Sequence, residues 1–217
     1  MNRETVLSIL CCLAIGYLLG NFSFAFVMGK LKGLDLRKSG SGNVGASNTM
    51  LMVGKFAGFI AALADIGKAA AAWWAAALLF PQMRLAGVLG GTACIIGHMY
   101  PALLRFKGGK GLACLGGVIL AYNPKTFLLM LGIALFIAVV TNYICVVTCS
   151  IAVIWPAYYW LATASWLGAA VLALPALPII LKHLENFRRI KDGQELRLSY
   201  LWDREAELIR IGREDEI

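Results

Sequence analysis

The feature that most constrains this chain is a succession of long apolar runs separated by short polar segments. A helix crossing a bilayer needs about 20 mainly apolar residues, and fewer where other protein shelters it. Seven candidates stand out, at about residues 5–28, 56–80, 85–104, 111–122, 126–142, 143–163 and 166–184. The fourth is short and glycine-rich, a pattern that fits an inward-tilted or partly re-entrant segment covered by protein or water. The fifth and sixth nearly touch at "TNY" (Thr141 to Tyr143), and one long interrupted helix there would leave six spans. Composition agrees: of 217 residues, 60% are hydrophobic and only 15% charged, where a soluble domain carries about a quarter charged residues. The expectation is an all-α, polytopic membrane domain over residues 1–195 with a charged cytoplasmic tail over 196–217.

The start, "MNRETVLSILCCLAIGYLLG", resembles a signal sequence, but no small-residue cleavage site follows and the apolar run continues to Val27. It reads as a retained first helix. The net charge of +8 would suit nucleic acid only on the basic face of a soluble fold. Here the bases cluster in loops, so no nucleic-acid partner is expected and topology explains them. Lys30, Lys32, Arg37, Lys38, Lys55, Arg105, Lys107, Lys110, Lys182, Arg188, Arg189 and Lys191 fall on one side of a seven-span layout; Arg3, Arg84 and Lys125 fall on the other. Positive charge stays inside, which puts the N-terminus outside, the C-terminus in the cytoplasm and every polar glycine-rich segment on the cytoplasmic side. All six cysteines lie in apolar runs without a CxxC pair, so they read as small buried hydrophobes rather than zinc or redox ligands.

Two loops carry the chemistry. In "RKSGSGNVGASNT", Gly40, Gly42 and Gly45 fit G-x-G-x-x-G, yet no strand precedes them, so the dinucleotide fingerprint is rejected. What remains is a segment whose backbone N–H groups can converge on an anion, with Ser41, Asn43, Ser47 and Asn48 as neutral partners and Arg37 and Lys38 beside it. The second loop, "RFKGGKG", repeats the recipe with Arg105, Lys107, Gly108, Gly109, Lys110 and Gly111, and a helix starts just after it, where free N–H groups favour an anion. Two such loops on one face suggest a phosphate-bearing ligand; singly, each reads first as a flexible turn with topogenic lysines. His183 and Asn186 in "KHLENFRR" share a helix face and suit a phosphate oxygen or a carbonyl. Asp65 and Lys68 lie inside the second helix, as a structural ion pair or a ligand site. His98 reads as a packing hydrogen bonder.

No G-x-S-x-G elbow occurs. His98 and His183 are the only histidines, and neither has Asp five residues on, which excludes the HxxxxD motif of the common acyl-CoA-dependent glycerolipid acyltransferases. No His/Asp/Glu grouping suggests a metal, and no cofactor is expected.

The segments "GSGNVGASN", "GHMYPALLRFKGGKG" and "KHLENFRRIKDGQE", with "ADIGKA" in the second helix, resemble the acyl-phosphate-dependent glycerol-3-phosphate acyltransferases of bacterial membranes. Order and spacing agree from the first helix to about Glu195. The resemblance implies a seven-helix fold in the bacterial cytoplasmic membrane with a cytosolic active site. It implies transfer of a fatty acyl group from acyl phosphate to the 1-hydroxyl of glycerol 3-phosphate, giving lysophosphatidic acid and phosphate, the first acylation of phospholipid synthesis. Ser41, Asn43, Gly45, Ser47 and Asn48 would form the phosphate-binding loop, with Lys107, Gly109 and Lys110 in the second loop. Lys110 would hold phosphate, and His183, Asn186 and Thr148 would line the same pocket. No catalytic side chain is implied; a substrate phosphate takes the proton. The chain departs from the family in two places. Leu51 stands where an Arg usually follows the first loop, and Asn142, Tyr143, Ile144 and Cys145 replace Arg-Tyr-x-Ser, with Thr148 where a second Ser is common. A lost Arg removes a bidentate phosphate clamp. The alternatives are therefore a divergent acyltransferase with another acceptor, an organic-phosphate transporter, or a non-catalytic scaffold. A transporter would normally show related halves, and no convincing repeat is visible.

Overall fold

The computed structural model describes residues 2–212, and among them the only regular structure is helical. Helix α1 (Arg3–Asn21) starts at Asn2, whose Oδ1 accepts from Thr5 N at 2.8 Å. The expected continuous run over 5–28 is in fact broken at Phe22 and Ser23, and α2 (Phe24–Leu31) restarts with Ser23 as its cap. Exposed backbone groups are costly within a bilayer. The carbonyl released at Phe22 is taken by Lys68, whose Nζ donates to it at 2.6 Å. The break and the intramembrane lysine thus form one device.

After a loop come α3 (Ala46–Met52), α4 (Lys55–Leu79) and α5 (Ala86–Met99). Helices α1 and α5 pack closely because glycines permit it: a Cβ at Gly16 would run into the Gly90 carbonyl, and one at Gly20 into that of Cys94. Gly16 and Gly20 form the GxxxG step of "GYLLG", a spacing that favours close helix contact. Helix α6 (Leu112–Tyr122) has 11 residues, about 16 Å of rise against a hydrocarbon core of about 30 Å. Its residues Cys114, Leu115, Gly117, Val118, Ile119 and Ala121 are buried, so neighbouring helices cover the short segment.

Helices α7 (Pro124–Thr141) and α8 (Ile144–Thr163) are separate. Asn142 adopts a left-handed conformation (φ 61°) and donates its N–H to Ala138, which ends α7; Tyr143 is extended and starts α8. Next come α9 (Trp166–Ala173) and α10 (Ala176–Lys191), joined at Leu174 and Pro175 into one apolar run. Among the described residues, six helical segments are long and apolar enough to span a membrane, and α6 is the shorter seventh. The core centres on fully buried Trp155, which meets Tyr122 at 5.2 Å and Tyr159 at 5.7 Å between ring centroids. Leu18, Val139 and Leu161 stay exposed on the outside of the bundle, as a lipid-facing surface requires.

The tail contains a 3-10 turn (Leu198–Leu201) and α11 (Arg204–Arg210). In "LSYLWDREAELIRIG", Leu201, Leu208 and Ile211 recur at loosely helical spacing, a pattern that suits a segment lying at the cytoplasmic surface. Instead Leu208 and Ile211 are buried against Leu51 and Tyr200, with Leu201 packed beside them. A short apolar stripe found a protein groove closer than the bilayer. Beyond Gly212 the tail lies outside the described residues.

Candidate functional site

Both glycine-rich loops, the end of α10 and the tail converge at one end of the bundle, around a cavity of about 480 Å³. Ser41, Asn43, Gly45, Ser47, Asn48, Lys110, Thr148, His183 and Asn186 all line it, so the structure unites candidates drawn from four segments. The opposite part of the cavity is apolar and runs between α7 and α8 past Phe127, Met130, Leu131, Leu135, Val147 and Ile151. Leu131 and Leu135 are themselves exposed on the outside of the bundle.

The first loop is built around Asn48. Its Oδ1 accepts from Ser41 N at 2.9 Å, and its Nδ2 faces the carbonyls of Leu36, Ser39 and Asn43 at 3.2, 3.0 and 2.9 Å. An amide has two donor hydrogens and an oxygen with two lone pairs, so this buried side chain spends both donors and one lone pair inside the loop. Asn48, expected to help form the phosphate-binding loop, lines the cavity and is the scaffold on which Ser41 and Asn43 are displayed. Gly40 (φ 61°) and Gly42 (φ 70°) make the reversal that wraps the loop round it. Arg37 is likewise engaged, donating to Asp35 through Nε at 2.9 Å and a terminal nitrogen at 2.8 Å. That pairing holds the Asp35 carboxyl well below its usual range.

In the second loop, Arg105 and Phe106 are both left-handed (φ 54° and 61°) and turn residues 105–107 outward. Lys107 is exposed and does not line the cavity, contrary to expectation. Gly109 also lies behind the wall: its N–H donates to His98 O at 3.1 Å, and a Cβ there would strike the His98 ring. Lys182, counted from sequence only as a topogenic charge, locks this loop to α10. Its Nζ donates to Met99 O at 2.6 Å and to Gly109 O at 3.1 Å.

Lys110 does enter the cavity and donates to Asn186 Oδ1. Asn186 Nδ2 in turn donates to Glu195 Oε1 at 2.5 Å, and Glu195 Oε2 accepts from Arg189 at 2.7 Å. Burial, then the nearby Arg189 charge, pulls the Lys110 pKa down. An incoming anion would relieve both effects. Glu195 lines the cavity and was missed as a site residue. Its signal was Gly193, a left-handed glycine (φ 71°) just past α10, the usual sign of a chain turning back. His183 is 2% exposed and sits with Nδ1 2.7 Å from Ile179 O. A carbonyl can only accept, so Nδ1 carries the hydrogen and Nε2 is left for the cavity. Thr148 donates its hydroxyl to Ile144 O at 2.9 Å, keeping only lone pairs for a ligand.

Asp65 and His98 form another wall. Lys68 Nζ lies 2.7 Å from Asp65 Oδ1 and 3.0 Å from His98 Nδ1, so His98 hydrogen-bonds between helices, as read from sequence, and does so within a buried charge cluster. Asp65, His98 and Cys114 bring potential ligand atoms within 4.8 Å of one another, a grouping invisible in sequence because the three come from different helices. The Lys68 ammonium already supplies the cation among them. Leu51, where the resemblance led one to expect Arg, is 5% exposed and packs against Tyr200, Leu208 and Ile211 of the tail.

Comparison with known proteins bears on the family. The family model described as "Glycerol-3-phosphate acyltransferase" matches residues 10–193. A glycerol-3-phosphate acyltransferase of Exiguobacterium sibiricum is 35% identical over 198 residues, spanning 89% of this chain and 95% of that relative. One of Thermosipho melanesiensis is 38% identical over 188 residues, 86% and 91% of the two chains. The crystal structure of PlsY (YgiH), an integral membrane glycerol 3-phosphate acyltransferase in its glycerol 3-phosphate form, superposes with a TM-score of 0.81 at 32% identity, covering 89% of this chain and 97% of that one. Its lysophosphatidic acid form gives 0.78. By sequence along most of its length and by fold, the chain belongs to the glycerol-3-phosphate acyltransferase family.

Proposed function

We propose that this acyltransferase takes its acyl group from acyl phosphate, delivers it to the 1-hydroxyl of glycerol 3-phosphate, and releases lysophosphatidic acid and inorganic phosphate. The observation that carries the reading is the single cavity, polar at one end around Lys110, His183 and Ser47 and apolar between α7 and α8. That shape fits two phosphate-bearing head groups beside one acyl chain that enters from the bilayer. The crystallised forms of PlsY with glycerol 3-phosphate and with lysophosphatidic acid support it.

Acyl phosphate is a mixed anhydride, so the enzyme has no need to build a covalent nucleophile. The 1-hydroxyl oxygen attacks the acyl carbonyl carbon, the carbon–oxygen bond to phosphorus breaks, and phosphate departs with the electron pair. The hydroxyl proton passes to a phosphate oxygen. Lys110 and the backbone N–H groups of the loops balance the charge gathering on that phosphate. His183 Nε2 orients the acceptor, and holding both substrates together supplies the proximity advantage. The bias of basic residues toward this end of the bundle supports a site that faces the cytosol from a bacterial plasma membrane. The test is direct: purified protein given palmitoyl phosphate and glycerol 3-phosphate should yield lysophosphatidic acid and phosphate in equal amounts. Folded protein that forms neither would overturn the proposal.

A further inference from the structure

We infer that the C-terminal segment 196–211 is a built wall of the substrate pocket, and that Tyr200 is a specificity-determining residue that contacts the glycerol 3-phosphate acceptor. The inference rests on the activity proposed above. The segment lies past residue 193, where the family match ends, yet Leu196, Leu198, Tyr200 and Leu201 line the cavity.

The segment is anchored rather than draped. Leu198 N donates to Asn142 O at 2.9 Å. Buried Glu207 accepts from Arg197 N at 3.2 Å, Ser199 Oγ at 2.8 Å and Arg210 Nε at 3.0 Å. Arg210 also donates to Gly193 O at 2.7 Å and to Glu195 O at 2.6 Å. The tail therefore grips the backbone of the residue whose carboxylate holds Asn186, and through it Lys110.

Tyr200 completes the wall. Its ring packs with Leu51 and Leu208, so the α3 face that offers an aliphatic side chain at Leu51 gains its polar group from the tail. Its hydroxyl donates to Met50 Sδ at 3.9 Å, with Ser47 of the first loop beside it. A buried phenol seeks a strong acceptor, and a thioether sulfur is a weak one. An oxygen of an acceptor seated beside Ser47 is a better match.

The test compares the full chain with Tyr200→Phe, which keeps the ring in its cluster and removes only the oxygen. Loss of a hydrogen bond to a charged ligand should raise the KM for glycerol 3-phosphate about tenfold. The KM for palmitoyl phosphate should stay within about twofold, a split that a general loosening of the fold would not produce. Leu208→Asp, which undocks the tail, should raise the acceptor KM at least as much, and adding Tyr200→Phe to it should change nothing further. An active parent whose acceptor KM is unmoved by Tyr200→Phe overturns this inference alone. A folded but inactive parent overturns the proposed activity along with it.

Discussion

Replacing Asn48 with Ala tests whether the first loop is held from within. The side chain is 2% exposed; its oxygen accepts from Ser41 N–H, and its two donor hydrogens face the carbonyls of Leu36, Ser39 and Asn43. At about 1 kcal/mol net for each of about three bonds, the loop loses about 3 kcal/mol. If binding must restore the order, kcat/KM for glycerol 3-phosphate should fall about 100-fold, since 1.4 kcal/mol is a factor of ten. Asn48→Asp should do no better, because it turns two donors into an oxygen facing three carbonyls. Steady-state kinetics reads the loss, and amide hydrogen exchange at Ser41 and Gly42 reads its cause. Faster exchange there, with both substrates affected, is the expected result. Unchanged exchange with a rise in one KM alone would show that Asn48 is a substrate ligand and that the scaffold argument is wrong.

Gly16→Val drives a side chain into the Gly90 carbonyl and should lower the thermal midpoint in detergent sharply; Gly67→Ala, where a Cβ meets nothing, should not. Asp65→Asn leaves the buried Lys68 charge uncompensated and should cost about 3–5 kcal/mol, part of it recovered in the double variant Asp65→Asn, Lys68→Met; equal losses in both would mean the ion pair is not what holds the cluster. Lys110 has a folded pKa below its ordinary 10.5, so just below 10.5 the folded state binds fewer protons than the unfolded chain. Stability from this group therefore rises with pH through that window. Lys110→Met should flatten the rise, measured as thermal midpoint against pH with no substrate, and a slope equal to the parent's would contradict the burial argument.

The spans were legible because hydrophobic length is a local property: the runs at 56–80 and 85–104 differ by a residue or so from α4 and from the span at Ala86–Leu104. The break at Phe22 was not, since it depends on Lys68, 46 residues away, to satisfy a carbonyl. The same limit separates the site residues. Lys110 and His183 were readable as polar groups in apolar surroundings. Whether Lys107 faces in or out turns on two left-handed residues, Arg105 and Phe106, which carry no glycine to announce them. Asn48 was visible as polar, but its inward direction depends on carbonyls up to 12 residues away. The role of Leu51 could not be seen at all without the tail folding back on it.

The central claim is the identity of the donor, and one competition measures it. Purified protein receives glycerol 3-phosphate with palmitoyl phosphate and palmitoyl-CoA together, each bearing a different isotope in the acyl chain. Mass analysis of the lysophosphatidic acid should find only the label from palmitoyl phosphate. Product carrying the label from palmitoyl-CoA would contradict the account.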